Sequence, residues 1–140
     1  MIGVIISGHG HFADGLLSAM KIIAGKQAKV SVVNFPEGAT SDDLKMHLKE
    51  AAEMLGGAQL VFLTDIAGGS PYNQAVLLQN KLTQSCRVFS GVNMPFLLQV
   101  LFDREEGDWN DLENRWLSGN IHTAAFYEKK KEEKIKTGGI

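Results

Sequence analysis

Short runs of β-branched and apolar residues alternate along the chain with longer segments in which apolar residues recur at every third or fourth position. Continuous apolar runs are typical of strands buried on both faces of a sheet, and the recurrence predicts amphipathic helices. The predicted strands are residues 2–7, 30–35, 60–64 and 87–90. The predicted helices are residues 12–23, 41–55, 70–82, 93–102 and 108–117.

This alternation predicts an α/β fold in which helices cover both faces of one doubly wound, mostly parallel sheet with the strand order 2-1-3-4. Residues 121–127 could add a fifth strand at an edge of the sheet. Residues 128–140 have mixed charge and little apolar content, which favours a solvated tail. We therefore expect one domain over residues 1–127, followed by a tail over 128–140.

The composition narrows the class of protein. A chain of 140 residues fits a single domain, since about 150 residues per domain is usual. The 14 Lys and Arg against 16 Asp and Glu give a net charge of -2, so no overall positive field attracts nucleic acid or anionic lipid. Cys86 is the single cysteine and has no disulfide partner within the chain. Because no membrane span or signal segment is evident either, we expect a cytoplasmic protein.

Two glycine-rich loops follow the first and third predicted strands. The first reads Gly8-His9-Gly10-His11-Phe12, and the second reads Asp65-Ile66-Ala67-Gly68-Gly69-Ser70. In the order 2-1-3-4 these strands are neighbours, and ligands of such sheets bind where the winding direction reverses, beyond the carboxyl ends of the strands. The two loops are therefore expected to form one site.

His9 and Asp65 form a candidate catalytic pair within this site. A carboxylate that holds one nitrogen of a neutral imidazole fixes the tautomer and leaves the other nitrogen as a nucleophile. The oxygens of a phosphoryl group on that nucleophile need donors, and a helix N-terminus supplies free N–H groups. The candidate donors are the N–H groups of Gly10, His11 and Phe12 and the hydroxyl of Ser70, with Gly68 and Gly69 allowing a close backbone approach.

Purely structural interpretations stand beside this one. Ser70 could act only as an N-cap ahead of Pro71, and Asp65 could cap the turn that follows it. His11 could be an ordinary loop residue, and the two glycines Gly68 and Gly69 could serve backbone geometry alone.

Three further kinds of site match parts of the same loops. Gly8, Gly10 and Ala13 fit the spacing of a dinucleotide fingerprint, although Asn34 stands where the acidic ribose ligand is expected. Asp65 also resembles the phosphoacceptor of receiver domains, but no acidic pair follows the first strand to hold magnesium. His9, His11 and Asp65 could bind a metal ion, although a pair of alternate histidines is a signal of low specificity.

Three motifs together carry a resemblance to a known family. They are Ile-Ile-Ser-Gly-His-Gly-His-Phe-Ala over residues 5–13, Phe-Leu-Thr-Asp-Ile-Ala-Gly-Gly-Ser-Pro-Tyr-Asn over 62–73 and Gly-Val-Asn-Met-Pro over 91–95. Over roughly residues 1–126 the chain resembles the mannose-family IIA component of the bacterial sugar phosphotransferase system (PTS). The resemblance implies that His9 is phosphorylated, that Asp65 hydrogen-bonds its imidazole, and that Ser70 lies near the phosphoryl group.

The resemblance also implies partners. The histidine phosphocarrier protein would be the donor, and a separate IIB component would be the acceptor and would serve a membrane IIC/IID pair. Family members are typically dimers that exchange an antiparallel edge strand, which would lie at about residues 121–126. No metal, nucleotide or other cofactor is expected, because the donor and the acceptor are both phosphohistidine-type proteins. Two alternatives stay open, namely a regulatory phosphoacceptor module and a phosphoryl-donor subunit of a dihydroxyacetone-type kinase.

Overall fold

The structure of the chain is a computed structural model that describes residues 1–118 and 124–128. Parallel strands and helices follow one another along the described chain, and a second helix follows the last strand. The elements are β1 (Gly3–His9), α1 (Phe12–Ala24), β2 (Val30–Phe35), α2 (Ser41–Leu55), β3 (Gln59–Thr64), α3 (Ser70–Gln79), β4 (Ser85–Phe89), α4 (Met94–Phe102) and α5 (Trp109–Leu117).

The four described strands form one sheet in the order β2-β1-β3-β4, and each neighbouring pair is parallel. Both the α/β class and the predicted order 2-1-3-4 are therefore confirmed. In this register Ser7 of β1 lies opposite Thr64, the last residue of β3, and β1 continues for two more residues to His9. The loops that follow β1 and β3 consequently leave the sheet at the same edge.

Two hydrophobic cores sandwich the sheet, because successive side chains of a strand point to opposite faces. Val4 and Ile6 of β1 belong to the core that also includes residues of α1, α4 and α5. Ile5, between them, belongs to the core formed with α2 and α3. All three side chains are fully buried, which explains why the first strand reads as an unbroken apolar run.

Two buried hydroxyl groups tie the carboxyl ends of the central strands to the outer strands. Ser7 Oγ donates a hydrogen bond of 2.8 Å to the Val33 carbonyl of β2. Thr64 Oγ1 donates a hydrogen bond of 2.7 Å to the Phe89 carbonyl of β4. Both side chains are fully buried, so their hydrogen bonds satisfy groups that water cannot reach. The two loops of the candidate site are thus built on a fixed strand edge.

The bounds of some elements differ from the prediction. β1 continues to His9, because Gly8 pairs with Asn34 and His9 pairs with Phe35 beyond the apolar run. α3 ends at Gln79 with Asn80 as its C-cap, although the apolar spacing predicted that it would reach residue 82. β4 covers Ser85–Phe89, so it begins two residues earlier than predicted.

The C-terminal predictions fall largely outside the described residues. Of the fifth strand predicted over 121–127, residues 121–123 lie outside them, and residues 124–127 are exposed and belong to no strand. The tail predicted over 128–140 is described only at residue 128. None of the helices in the described chain combines the length and the apolar character needed to cross a bilayer.

Candidate functional site

His9 and Asp65 lie together at the edge of the sheet where the carboxyl ends of its strands meet, as the strand order 2-1-3-4 predicted. His9 is the last residue of β1, and Asp65 follows the last residue of β3. The distance from His9 Nδ1 to Asp65 Oδ2 is 2.7 Å, and the His9 backbone N–H donates to the same oxygen at 2.9 Å. The other carboxylate oxygen, Oδ1, accepts the Ile66 N–H at 2.9 Å. Three hydrogen bonds therefore hold the carboxylate against the imidazole.

These contacts decide the charge of Asp65 and the tautomer of His9. Burial by itself raises the pKa of the Asp65 carboxyl, but the hydrogen bonds from the His9 backbone and ring, with the charge of His9, lower this pKa by more. The net pKa lies below its ordinary value, so the group is a carboxylate at neutral pH and can only accept hydrogen bonds. In the neutral form of the imidazole we therefore assign the proton to Nδ1, which leaves a lone pair on Nε2.

The free side of the imidazole faces solvent beside the second glycine-rich loop. The His9 side chain is 50% exposed, whereas that of Asp65 is 15% exposed. The ring meets the Phe35 ring edge-on, with centroids 5.8 Å apart and an interplanar angle of 72°. A Cβ added to Gly69 would lie 2.8 Å from His9 Cε1, so the backbone there approaches the ring more closely than any other residue type allows.

The prediction that the Gly10 N–H binds a phosphoryl oxygen is wrong. This N–H donates a hydrogen bond of 2.8 Å to the Phe35 carbonyl, so it is not free to bind a phosphoryl oxygen. The bond forms because Gly10, at φ +58°, turns the chain back against the end of β2. His11 and Phe12 follow as the N-cap and first residue of α1, where backbone N–H groups have no partner within the helix.

The second loop places Ser70 one position later than an N-cap. Gly69 is the N-cap of α3 and Ser70 is its first residue, so the alternative of a purely capping serine is wrong. Ser70 is half-buried and follows the glycine that contacts His9. Gly68 adopts φ +81°, and its carbonyl accepts a hydrogen bond of 2.9 Å from Asn73 Nδ2. Asn73 thus fixes the turn that brings Gly69 to the imidazole.

Asn34 and Asn73 are two residues of this region whose roles the sequence reasoning missed. Asn34 is the last but one residue of β2 and pairs with Gly8 of β1. Its Oδ1 accepts the Asp14 N–H in the first turn of α1 at 3.2 Å. A second polar residue near the end of a mostly apolar strand was the available signal for Asn34. Asn73 stands within the second motif, but the motif alone does not show that its side chain bonds the Gly68 carbonyl five residues earlier.

The family model EIIA-man, described as "PTS system fructose IIA component", matches residues 3–115. The match covers most of the chain and includes both loops. The chain belongs to the EIIA-man family of PTS IIA components. The resemblance inferred from the three motifs is therefore confirmed, and proteins of this family act in phosphoryl transfer.

Individual relatives agree with the family assignment. The fructose-specific EIIA component of Bacillus subtilis is 36% identical over 115 residues, which are 81% of this chain and 78% of that protein. The mannose-specific EIIAB component of Escherichia coli K12 is 30% identical over 107 residues, which are 75% of this chain but 32% of that longer protein. The crystal structure of a PTS EIIA component from Streptococcus agalactiae superposes with a TM-score of 0.77 at 33% identity, covering 84% of this EIIA-man chain and 90% of that one.

The other site hypotheses do not gain support from the geometry of this EIIA-man protein. The glycines of the dinucleotide fingerprint serve local contacts, since Gly8 packs against the Phe12 ring and the Gly10 N–H is bonded to Phe35. For metal binding, His11 pairs with Asp14 rather than with His9 and Asp65. Within residues 1–118 and 124–128 no three His, Cys, Asp or Glu side chains form a group suited to a metal ion.

Proposed function

We propose that this EIIA-man protein accepts a phosphoryl group on His9 Nε2 from the histidine phosphocarrier protein and passes it to a IIB component for sugar uptake. The observation that carries the proposal is the hydrogen bond of 2.7 Å between His9 Nδ1 and Asp65 Oδ2. This bond fixes the protonated nitrogen inside the fold and points the other nitrogen outward.

The transfer step requires no proton movement at the attacking nitrogen. The Nε2 lone pair attacks phosphorus as the P–N bond to the donor imidazole breaks, and the electron pair of that bond stays with the donor ring. The new P–N bond leaves positive charge on the His9 ring, which the adjacent Asp65 carboxylate stabilises. Attack on phosphohistidine by the IIB acceptor reverses these changes, so catalysis consists of positioning and charge stabilisation.

The oxygens of the phosphoryl group would be held by groups around the outward nitrogen. We assign this role to the N–H groups of His11 and Phe12 at the start of α1, to the Ser70 hydroxyl and to the loop at Gly68 and Gly69. The positive end of the α1 dipole favours a dianion at the same place. The Ser70 hydroxyl has no hydrogen-bond partner among the described residues, so it is available to donate.

Membership of the family supports a proposal for the partners. The Escherichia coli relative is an EIIAB component, and its name joins A and B in one protein. We propose that a separate IIB component accepts the phosphoryl group from this protein and serves a membrane IIC/IID pair. We also propose that this protein acts in the cytoplasm. We propose further that the protein is a homodimer and that residues 1–127 form the functional domain.

The proposal is tested by following the phosphoryl group. The protein is incubated with phosphoenolpyruvate, enzyme I and the phosphocarrier protein, and its intact mass is recorded before and after a IIB component is added. We expect the mass to rise by one phosphoryl group and to fall again as IIB gains it. Absence of the adduct contradicts the proposal, and an adduct that no IIB component can discharge favours a regulatory phosphoacceptor instead.

Replacing Gly69 by alanine is expected to slow phosphorylation while the fold is retained. The new methyl group would lie 2.8 Å from His9 Cε1 and 3.0 Å from Ile66 Cγ2, so the imidazole must move away from its position on Asp65. A displacement of this size lowers the initial rate by about 10- to 100-fold. The matched control is Gly15→Ala on α1, where an added Cβ meets nothing within 4 Å. Equal rates for both variants would show that the approach of Gly69 to the ring is unimportant.

A further inference from the structure

A second imidazole–carboxylate pair stands beside the first. His11 Nδ1 lies 3.2 Å from Asp14 Oδ2, three residues further along α1, and the two side chains are 85% and 46% exposed. As in His9, one ring nitrogen is held by a carboxylate, and the other has no hydrogen-bond partner in the described chain. The proposed phosphoryl transfer, however, needs only one nucleophile, so the function described above leaves this pair without a role.

The pair is fixed to the same framework as His9. Asp14 donates its N–H to Asn34 Oδ1, and the His11 carbonyl accepts the Gly15 N–H at 2.8 Å. The side chains of Asn34 and His11, in that order, lower the pKa of the Asp14 carboxyl, which keeps it ionised at neutral pH. Because two residues of chain span at most about 7 Å, the α-carbons of His9 and His11 lie within that distance.

The other charged groups around this edge of the sheet are mostly acidic. The titratable groups on the surrounding elements are Asp14 on α1, Glu37 after β2, Asp42, Asp43, Lys45 and His47 on α2, Asp65 after β3 and Tyr72 at the start of α3. The lysines of the α1–β2 region, Lys21, Lys26 and Lys29, lie at the opposite end of the sheet. A phosphoryl dianion on His9 would therefore lie among mostly acidic groups. The nearest residue in the sequence whose side chain can gain a positive charge is His11.

We infer that protonation of His11 and phosphorylation of His9 are linked, so that the His11 imidazolium stabilises the phosphoryl dianion on its neighbour. The inference rests on the proposed function of His9. The bound of about 7 Å between the two α-carbons is close to the Debye length of about 8 Å, the range over which solvent-exposed charges interact before salt screens them, and a histidine changes its charge between about pH 5 and 8. The proton comes from solvent, and the phosphoryl transfer itself is balanced without it. Stabilisation is present when His11 is protonated and is lost as the pH rises.

The linkage is measured as the equilibrium constant for phosphoryl exchange between the phosphocarrier protein and this protein, determined by intact mass from about pH 6 to 8.5. The wild type is compared with His11→Gln using the same donor, so the donor's own pH dependence cancels in their ratio. We expect the wild-type constant to exceed the variant's by about three- to tenfold at the low end and to match it at the high end.

Two more variants separate charge from structure. His11→Lys supplies a permanent cation, so its advantage over His11→Gln is expected to persist at the high end of the pH range. His47→Gln, on α2, removes a histidine from outside the site and is expected to follow the wild-type curve. Superimposable curves for the wild type and His11→Gln would overturn the linkage and leave His9 as the acceptor. Absence of any adduct on His9 would overturn the proposed function, and the linkage with it.

Discussion

Replacing His9 by alanine is expected to abolish phosphorylation by the phosphocarrier protein. The side chain supplies the attacking Nε2, and its removal leaves Asp65 with no ring to hold. We expect the initial rate to fall by at least about 10³-fold, since the lost group forms the covalent bond itself. The measurement is the intact mass of the variant after incubation with phosphoenolpyruvate, enzyme I and the phosphocarrier protein.

The control for this experiment is a histidine outside the site. His47→Gln removes an exposed imidazole from α2 and is expected to be phosphorylated like the wild type. The fold of His9→Ala is checked by circular dichroism, and we expect it to be retained because the His9 side chain is half exposed and lies outside both cores. An adduct of full stoichiometry on His9→Ala would contradict the assignment of the acceptor.

Replacing Asp65 by asparagine is expected to slow phosphorylation by about 10- to 100-fold without unfolding the protein. The carboxylate accepts from His9 on one oxygen and from Ile66 on the other, and an amide has only one oxygen. If the amide oxygen faces the Ile66 N–H, the amide nitrogen donates to His9 Nδ1. The ring proton then moves to Nε2, and Nε2 loses the lone pair that the attack requires. If the amide oxygen faces His9, the amide N–H and the Ile66 N–H oppose each other. The negative charge of the carboxylate is lost in both orientations.

The rate of this variant is measured under conditions in which the phosphocarrier protein is the limiting donor. Asn73→Ala is the matched comparison, because it removes the hydrogen bond to the Gly68 carbonyl from the same loop and leaves the carboxylate in place. We expect a smaller loss for Asn73→Ala than for Asp65→Asn. Unchanged phosphorylation of Asp65→Asn would remove the argument that the carboxylate sets the tautomer of His9.

The meeting of His9 with Asp65 could be predicted because it depends on topology rather than on side-chain detail. The apolar runs placed both residues at the carboxyl ends of strands, and the order 2-1-3-4 made these strands neighbours. Ser7 lies opposite Thr64 in the observed register, so His9 and Asp65 follow these paired residues at the same edge of the sheet. Hydrophobic patterning and the parallel-sheet rules therefore suffice to bring the two residues together.

The hydrogen bonds around the pair could not be predicted in the same way. The sequence could not show that β1 continues past its apolar run, and this continuation directs the Gly10 N–H to Phe35. Serine and proline favoured Ser70 as an N-cap, whereas Gly69 takes that position with φ -74°. The contacts of Asn34 and Asn73 depend on individual side-chain distances of about 3 Å, which no periodicity encodes.

The central claim is that Asp65 holds Nδ1 of His9 and thereby directs the phosphoryl group to Nε2. The most direct measurement is NMR spectroscopy of the phosphorylated protein, with ¹⁵N-labelled histidine and ³¹P detection, to identify the ring nitrogen bonded to phosphorus. We predict the bond at Nε2 of His9, with the proton of Nδ1 retained. A phosphoryl group on Nδ1 would contradict the account, because that nitrogen could not then remain 2.7 Å from the carboxylate.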